Sequence, residues 1–515
     1  GGKFVQVVTK DEMYAIDREA MQLGLHGEML MENAGQAAAA RIVSRLTGSE
    51  RILVLIGKGN NGGDGFVIAR MLKSCGYAAD VWLAVEKGEI TGDAEKAMRV
   101  YERSGYDMHC ISEKGFEAFR DALAACTHVV DALLGIGMSG SLRPPYQEIV
   151  SLINAAKDKH VIAIDVPSGI SADSGEAEDA IRADETIVIH HPKLSAFLYP
   201  SRHYYGEIHV VNIGIPPLIS ERVNEKRYVW TAEDVMRTFP KRSPDSHKGS
   251  HGKGLLVGGS KSMSGAIMMA AKAALRSGSG LLTLAIPEEA RIPAASGVIE
   301  AMYHPCSSID GQFEGELQPF NEKDTDAIAV GPGMGRNEGS RLILKQVLAK
   351  DIPLLIDADG LYHLAGMLDS LKTRTAPTIV TPHEGEMARL LGISVQEVKA
   401  KRFQLSREFA VSYGVYVVLK GPFTICTTPS GNQFINPTGN ASLAKGGSGD
   451  VLTGMILALM MQHSSLQAAI CNAVFVHGRV ADELVNTRHS PIDVIASDLI
   501  DALPNVYRLI DQHSL

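Results

Sequence analysis

Cysteine is scarce in this chain and never forms a C-x-x-C pair. Six of the 515 residues are cysteines, and they are scattered along the sequence: Cys75, Cys110, Cys126, Cys306, Cys426 and Cys471. In a chain of this length, scattered cysteines are typical of reduced thiols that pack as small apolar side chains. We therefore predict a cytoplasmic protein.

A basic excess and a long apolar run are missing as well. The chain has 50 Lys and Arg against 59 Asp and Glu, a formal net charge of −9, which argues against a general nucleic-acid or acidic-membrane binder. The longest apolar stretch, from Val451 to Met461, is far shorter than the ~20 residues of a membrane-spanning helix. The P-loop pattern G-x-x-x-x-G-K-[S/T] is also absent, which excludes a P-loop kinase. We expect small-molecule partners and no nucleic acid or membrane.

Short apolar runs alternate with amphipathic stretches in both halves of the chain. Several runs lack period-two alternation, as strands buried on both faces do. The predicted strands are Arg51–Ile56, Asp80–Val85, His128–Leu133, His160–Asp165, Glu185–Ile189, Glu207–Val211, Gly254–Val257, Leu281–Ala285, Asp326–Val330, Pro353–Asp357, Thr378–Thr381 and Val415–Leu419. Strands that alternate with helices indicate doubly wound α/β sheets. Prolines and charges within 216–250 predict a linker, and we divide the chain into domains 1–225 and 226–515.

The 51 glycines cluster in short motifs, and the first motif is a glycine-asparagine loop between a strand and a helix. In RILVLIGKGNNGGDGFVIAR, Gly57, Gly59 and Gly62 satisfy G-x-G-x-x-G, whose backbone amides can approach phosphate oxygens at a helix N-terminus. A dinucleotide-binding dehydrogenase would have an acidic residue at the end of the next strand, but Asp80 opens that predicted strand. The loop alone therefore fits either a ligand site or a tight turn.

Polar side chains follow two further strands of the first domain. Asp131 ends one strand, and Asp165 and Ser168 follow the next. Ligands of open α/β sheets bind outside the carboxyl ends of the strands, so Asn61, Asp131 and Ser168 are expected at one edge. Their oxygens suit an alkali or alkaline-earth cation, although the aspartates could equally cap the turns that follow.

The motifs GKGNNGGDG, DALLGIGMSG and IDVPSGI resemble the N-terminal epimerase domain of the bifunctional NAD(P)H-hydrate repair enzymes. The resemblance runs from about Met31 to the segment VNIGIP and implies a Rossmann-like domain that interconverts the R and S epimers of hydrated NADH or NADPH. It implies a potassium ion on Asn61, Asp131 and Ser168, with Asp165 as substrate ligand and candidate acid/base catalyst. The other implied substrate contacts are Asn60, Asn61, Gly62, Gly63, Asp64, Gly135, Ile136, Gly137, Met138, Ser139, Gly140 and Ser141.

NPTGNASLAKGGSGDVLTGMILALMM is the most specific segment of the second domain. Gly446, Gly447 and Gly449 precede a strongly apolar helix that we expect to begin near Asp450. Backbone amides at a helix start form an anion hole for a transferring phosphoryl group, and a carboxylate there can act as a base toward a hydroxyl. Lys445 lies beside these glycines, where its charge would help to neutralise phosphate. The alternative is a glycine-rich helix start with an Asp cap.

This G-x-G-D pattern is similar to the ribokinase superfamily, and other segments resemble one branch of it, the ADP/ATP-dependent NAD(P)H-hydrate dehydratases. These segments are HKGSHGKGLLVGGSKSMSG, VGPGMGRN, LLIDADGL, IVTPHEGEMARLLG and VVLKGPFTIC. The resemblance implies a ribokinase-like α/β domain in which Asp450 is catalytic. It implies hydrate contacts at Ala266, Gly333, Gly335, His383 and Asp450, and adenine-nucleotide contacts at Lys420, Gly421, Pro422, Phe423, Thr424, Gly446, Gly447 and Gly449.

The implied reaction is a dehydration that proceeds through phosphorylation. Hydroxide is a poor leaving group and phosphate a good one, and the resemblance favours ADP over ATP as phosphoryl donor, with Mg²⁺ on its phosphates. Asp357 and Asp359 end a strand and could bind Mg²⁺ through water or be turn residues. One alternative is a ribokinase-superfamily small-molecule kinase with an accessory Rossmann-like dinucleotide-binding module. The other is a non-enzymatic first domain that senses a dinucleotide or mediates protein interaction. We also expect a homo-oligomer.

Overall fold

The computed structural model describes residues 5–138, 140–223 and 226–515. The chain divides into two compact units, one from Gln6 to Glu225 and the other from Lys226 to Leu515 together with Val5. The strands and α-helices up to residue 223 are β1 (Val5–Gln6), α1 (Lys10–Gln22), α2 (Gly27–Val43), β2 (Arg51–Ile56), α3 (Asn60–Ser74), β3 (Ala78–Leu83), α4 (Gly92–Arg103), β4 (Met108–Cys110), α5 (Ile111–Lys114), α6 (Phe116–Ala125), β5 (His128–Ala132), α7 (Tyr146–Ala155), β6 (His160–Ile164), β7 (Glu185–Ile189), β8 (Glu207–Val211) and α8 (Pro217–Val223).

The first unit is built on a parallel sheet of strand order β4-β3-β2-β5-β6-β7-β8. Side chains of a strand alternate between the two faces of its sheet. On β2, Val54 packs among residues of α2, α3 and α4, whereas Leu53 packs among residues of α6 and α7. Both faces are therefore covered, which explains why β2 is an uninterrupted apolar run. The chain order reverses between β2 and β5, so their carboxyl ends border the crevice in which open α/β sheets bind ligands.

The strands and α-helices of the second unit after residue 226 are β9 (Arg227–Val229), α9 (Ala232–Thr238), β10 (Lys253–Val257), α10 (Ser264–Arg276), β11 (Leu281–Pro287), α11 (Arg291–Gly297), β12 (Met302–Cys306), β13 (Ser308–Ile309), β14 (Gln312–Phe313), β15 (Ala327–Val330), α12 (Glu338–Leu348), β16 (Leu354–Ile356), α13 (Asp359–Leu364), α14 (Asp369–Lys372), β17 (Thr378–Val380), α15 (Glu384–Leu391), α16 (Val395–Ala400), α17 (Arg402–Tyr413), β18 (Tyr416–Leu419), β19 (Ile425–Thr427), β20 (Gln433–Ile435), α18 (Ser448–Gln462), α19 (Leu466–Thr487) and α20 (Ala496–Asp511).

The sheet of the second unit has the order β1-β9-β20-β19-β18-β17-β16-β15-β10-β11-β12. In this spatial order, every pair between β18 and β12 is parallel. On the other side of β18, the pairs β18–β19 and β19–β20 are antiparallel, and β20–β9 is parallel. Leu256 packs with α10, α18 and α19 on one face, and Leu255 packs with α12 and α15 on the other. The carboxyl ends of five neighbouring strands, β10 and β15 to β18, consequently share one edge of this sheet.

The predicted fold class, two α/β units with mainly parallel sheets, is confirmed. Each strand predicted from an apolar run is present, and its ends agree within two residues. Short strands such as β9, β19 and β20 were not predicted. The predicted linker was wrong in part, because β9 and α9 lie inside 216–250 and belong to the second unit. No helix among the described residues is both long and apolar enough to cross a membrane.

Candidate active sites

A cavity of about 720 Å³ lies at the carboxyl ends of β2 and β5 in the first unit. Of the residues predicted to contact substrate there, the cavity is lined by Asn60, Asn61, Asp64, Gly135, Ile136, Gly137, Met138, Ser141 and Asp165. Gly62, Gly63 and Gly140 are described but do not line it, and Ser139 lies outside the described residues. The rule that ligands bind at the carboxyl ends of parallel strands (the strand-end rule) thus predicted where this cavity lies.

Two of the predicted contact glycines serve helix packing. A Cβ atom on Gly62 would lie 2.1 Å from the carbonyl oxygen of Gly57, and one on Gly63 would lie 2.4 Å from the Met31 sulfur. The Gly62 contact is with backbone, so only glycine lets α3 approach the end of β2 this closely, whereas at Gly63 the end of the Met31 side chain would have to move. These residues position the loop that lines the cavity, whereas Asn60, Asn61 and Asp64 present side chains to it.

Two of the three predicted cation ligands, Asp131 and Ser168, are hydrogen-bonded to each other, and the third, Asn61, lines the cavity. Asp131 is fully buried and accepts hydrogen bonds from the Ser168 hydroxyl at 2.5 Å and from the Ser168 amide at 2.8 Å. Burial raises the pKa of Asp131 to about 6. The side-chain Nδ2 of Asn61 donates to the carbonyl of Ile164 at 2.8 Å, and the side-chain Oδ1 of Asn61 is buried without a hydrogen-bond partner. An unpartnered buried oxygen is costly unless something outside the chain binds it.

Asp165 forms a buried ion pair that sequence reasoning missed. Its Oδ1 accepts from Lys193 Nζ at 2.6 Å and from the Ile189 amide at 3.1 Å, and the Lys193 side chain is only 1% exposed. Asp165 has φ 70°, a left-handed conformation that is strained for a non-glycine residue. Strain of this kind persists only where the surrounding contacts enforce it, and here it directs the carboxylate into the cavity.

Two more carboxylates share the field of this ion pair. Burial raises the pKa of Asp17 to about 6, with Lys193 opposing the rise and Asp165 adding to it. Burial and the charges of Asp165 and Asp17 also raise the pKa of Asp64. One buried lysine therefore faces three carboxyl groups, and the pKa values of two of them, Asp17 and Asp64, are raised. Such an arrangement can both donate and accept protons.

The strand-end rule could also have found Lys193, because it follows β7, the neighbour of β6 in the sheet. Asp17 gave no comparable signal. It lies on α1, whose residues Met13, Tyr14 and Asp17 line the cavity, and nothing in a helical pattern shows which loop the helix will face.

In the second unit, Asp450 lies in the first turn of α18, two residues after the helix begins. Gly447 caps this helix with φ 91°, and a Cβ atom there would lie 2.8 Å from the Cβ of Ala496. A Cβ on Gly449 would lie 3.2 Å from Lys420 Nζ, which places the Lys420 ammonium against the helix start. The Lys445 ammonium instead donates to the carbonyl of Ile492.

Carboxylates surround Lys420. Its Nζ lies 3.2 Å from Asp357 Oδ1, and the Thr453 hydroxyl donates to Asp357 Oδ2 at 2.5 Å. Burial, followed by the charge of Asp357, raises the pKa of Asp450 to about 7, and burial raises the pKa of Glu386 to about 7 as well. The site therefore carries carboxyl groups that change ionisation close to neutral pH.

The predicted hydrate contacts reach the same edge from three further strands. After β15, a Cβ on Gly333 would lie 3.1 Å from the Cβ of Ala266, so that loop packs on the start of α10. The Gly335 amide donates to Asp359 Oδ2 at 2.9 Å. His383 follows β17 and caps α15 by accepting from the Glu386 amide at 3.1 Å. Burial and the charge of Lys420 lower the pKa of His383.

Sequence reasoning missed three residues of this second site. Glu386 lies one helical turn after His383, and Thr453 lies one turn after Asp450. Residues at this spacing are neighbours on one side of a helix, which could have indicated both. His477 on α19 donates from Nε2 to the Ser448 carbonyl at 3.0 Å, and burial lowers its pKa to about 4. It supports the helix start as a neutral donor, which no sequence pattern indicated.

Each unit thus brings carboxyl groups with raised pKa values and one lysine to the carboxyl ends of parallel strands, an arrangement typical of a two-domain α/β enzyme with a candidate acid-base site in each unit. A family model described as "YjeF-related protein N-terminus" matches residues 27–195. One described as "NAD(P)H-hydrate dehydratase" matches residues 254–505.

Curated relatives match almost the whole chain. The bifunctional NAD(P)H-hydrate repair enzyme Nnr of Thermofilum pendens is 36% identical over 98% of this chain and 97% of its own length. The Escherichia coli enzyme of the same name is 32% identical over 96% and 93%. The chain belongs to the family of bifunctional NAD(P)H-hydrate repair enzymes.

Among solved structures, the chain is similar to the ADP/ATP-dependent NAD(P)H-hydrate dehydratase from Bacillus subtilis, co-crystallised with ATP and Mg²⁺. That similarity has a TM-score of 0.49 and 37% identity, and it covers 55% of this chain and 98% of the other.

Proposed function

We propose that the chain repairs hydrated NADH and NADPH through two activities. The unit Gln6–Glu225 interconverts the R and S epimers of the hydrate, and the unit Lys226–Leu515 dehydrates the S epimer with the help of ADP or ATP. The observation that carries this proposal is the match of two family models to successive segments of the chain. Residues 27–195 contain Asp165 and Lys193, and residues 254–505 contain Asp450. A dehydratase that accepts one epimer needs an epimerase to use the other.

Dehydration is difficult because hydroxide leaves poorly from the carbon beside the ring nitrogen. The second unit would first transfer a phosphoryl group to that hydroxyl. The ring nitrogen then expels phosphate, and loss of a proton restores the double bond. Asp450 would remove the hydroxyl proton. It lies at the start of α18, where the phosphoryl group would be transferred, and a base with a pKa of about 7 is half ionised at neutral pH.

Backbone amides would stabilise the charge on the transferring phosphoryl group. Gly446, Gly447 and Gly449 expose the start of α18, where the helix dipole favours an anion. Lys420 lies against the same helix start and is the first residue of the proposed nucleotide-binding loop Lys420–Thr424. We assign Lys420 to the phosphates and the exposed residues Gly421 and Pro422 to the adenosine moiety.

Magnesium fits this site as part of a nucleotide complex. In the described part of the chain, no three His, Cys, Asp or Glu side chains form a group that could hold a metal ion. Mg²⁺ commonly uses one or two carboxylates together with substrate phosphates, and Asp359 would supply one of them, which keeps Asp450 as the base. When bound, the ion would neutralise phosphate charge.

In the first unit, we assign Asp165 and Lys193 as the acid-base pair. Lys193 would orient Asp165, so that the carboxylate can take or return the proton exchanged at the hydrated ring. Asp17, with its pKa of about 6, would supply a second exchangeable proton. The dinucleotide would extend along Asn60–Asp64 and Gly135–Ser141.

Potassium is the cation we propose beside this site. The unpartnered Oδ1 of Asn61 and the oxygens of Asp131 and Ser168 are hard ligands that suit an alkali ion. Such an ion would order the loop from Gly135, because the amide of the preceding Leu134 donates to the Ser168 hydroxyl at 2.9 Å.

The proposal is tested by recovery of reduced-nicotinamide absorbance from separated R and S hydrates. The S form should be restored with ADP or ATP, and the R form should be restored at a rate that depends on the first unit. Accumulation of a stable phosphorylated product, with no recovered absorbance, would instead support a small-molecule kinase.

Two lesser assignments complete the proposal. The six cysteines carry free thiols, which supports a cytoplasmic location. A homo-oligomer remains our expectation, and light scattering of the full chain tests it.

A further inference from the structure

We propose that Arg402 is a positioning residue that joins the nucleotide-binding loop Lys420–Thr424 to the turn that carries His383. This inference rests on the proposed function of that loop. Arg402 is the first residue of α17, and its side chain is only 6% exposed.

The guanidinium of Arg402 binds the backbone of the loop at three points. It donates to the carbonyl of Leu419 at 3.2 Å, to that of Lys420 at 3.4 Å and to that of Phe423 at 2.8 Å. These carbonyls lie on both sides of the exposed residues Gly421 and Pro422. The contacts therefore fix the curvature of the loop from beneath, on the side away from solvent.

The same guanidinium binds the neighbouring turn. Its NH1 donates to Glu384 Oε2 at 3.1 Å, and Glu384 directly follows His383 at the start of α15. The Lys420 amide also donates to the carbonyl of Pro382 at 2.9 Å. Arg402 and this backbone bond connect the proposed nucleotide loop to the proposed hydrate-binding turn.

Arginine suits this position because its planar group offers five donors in a fixed arrangement. Lysine has one compact ammonium and cannot reach a carboxylate and three carbonyls together. Space is restricted as well: a Cβ on Gly421 would lie 2.8 Å from Arg402 NH1. Loss of the guanidinium would leave the half-buried Glu384 without its cation and several carbonyls without this donor, so the loop would shift.

Loss of the Arg402 guanidinium should weaken nucleotide binding more than it slows the phosphoryl-transfer step, because Arg402 has no contact with Asp450 among the bonds described above. If nucleotide binding has to restore one hydrogen bond of the loop that the variant has lost, the affinity falls roughly tenfold. We expect Arg402→Lys to raise the KM for ADP or ATP about tenfold or more while kcat changes by less than about threefold.

Arg374 provides a matched control. It donates to the carbonyls of Leu348, Lys350 and Ile352 at 2.6 to 2.8 Å, at the amino end of β16, which is the opposite edge of the sheet. Arg374→Lys therefore removes an equivalent set of backbone bonds far from the site. Glu384→Gln is a milder second variant that keeps the shape and removes the charge.

The experiment measures ADP and ATP binding by calorimetry, steady-state dehydration of the S hydrate and thermal unfolding, all on the full chain. Weaker nucleotide binding in R402K and E384Q, with normal binding in R374K, supports the inference. Equal affinity of R402K and the wild type overturns it, as does an equal loss in R374K. If R402K does not fold, E384Q decides in the same way. A wild-type chain that binds no adenine nucleotide overturns the proposed function itself.

Discussion

Replacing Asp450 with Asn should make the second unit more stable and nearly inactive. The substitution keeps the size of the side chain and most of its capping ability at the start of α18. It removes a carboxylate that is buried beside Asp357 and close to Asp359 and Glu386. Two separate effects follow, one on the free energy of unfolding and one on the rate.

The stability effect follows from the raised pKa. The pKa of Asp450 rises from 3.8 to about 7 on folding, so the folded state favours the protonated form. Its contribution to stability is present at acidic pH and is lost as the pH rises through 7. The pKa rises by about 3, and each pKa unit is worth about 1.36 kcal/mol. Above pH 7, the ionised Asp450 therefore lowers the free energy of unfolding by at most about 4 kcal/mol. Asn avoids this cost, so the variant should gain stability at pH 8 and little at pH 4.

The rate effect follows from the loss of the base. A positioned general base is worth about 10²–10⁴-fold in rate, so dehydration by Asp450→Asn should fall by that factor. Nucleotide binding should persist, because the glycine amides and Lys420 are unchanged. Epimer exchange in the other unit should persist too.

Three measurements on one preparation test this prediction: thermal unfolding at pH 4 and pH 8, calorimetry with ADP or ATP, and absorbance recovery from the S hydrate. Near-normal dehydration would refute the role of Asp450 as the base. A loss of stability at pH 8 would refute the electrostatic reasoning. Loss of nucleotide binding along with activity would show that Asp450 is structural.

Four further outcomes are expected. Asp165→Asn should abolish exchange of R and S hydrates, separated by chromatography, without affecting dehydration of the S form; normal exchange would remove Asp165 from the mechanism. Lys193→Met should also abolish exchange with the unfolding transition of the first unit retained, whereas an active variant would make the ion pair dispensable. Asp131→Ala should weaken hydrate binding and remove any enhancement by potassium; no ion found by titration of the wild type would show that the ligand assignment is wrong. For dehydration, kcat/KM should fall about tenfold per pH unit below pH 7 as Asp450 takes up a proton, and a flat profile down to pH 5 would contradict this.

The sequence by itself determined the strands that are buried on both faces. β2 and β7 begin and end where their runs predicted, because a strand covered by helices on both sides is mostly apolar. The ends of β8 were predicted as well, although it is an edge strand that is only partly buried. The start of α18 was similarly readable, since glycines followed by a long apolar run allow few other structures. The strand-end rule then predicted that Asp131 and Asp165 lie at one edge of the first sheet, and the glycine pattern predicted that Asp450 lies at the start of a helix.

Tertiary structure alone decided how the side chains are paired. The apolar pattern shows which residues are buried but carries no information on which distant residue lies opposite, because strand order and helix placement set those contacts. Lys193 meets Asp165 because β7 lies beside β6, and Asp17 reaches them because α1 covers the cavity. Arg402 meets Glu384 and the nucleotide loop because β17 and β18 are neighbours whose carboxyl ends lie side by side.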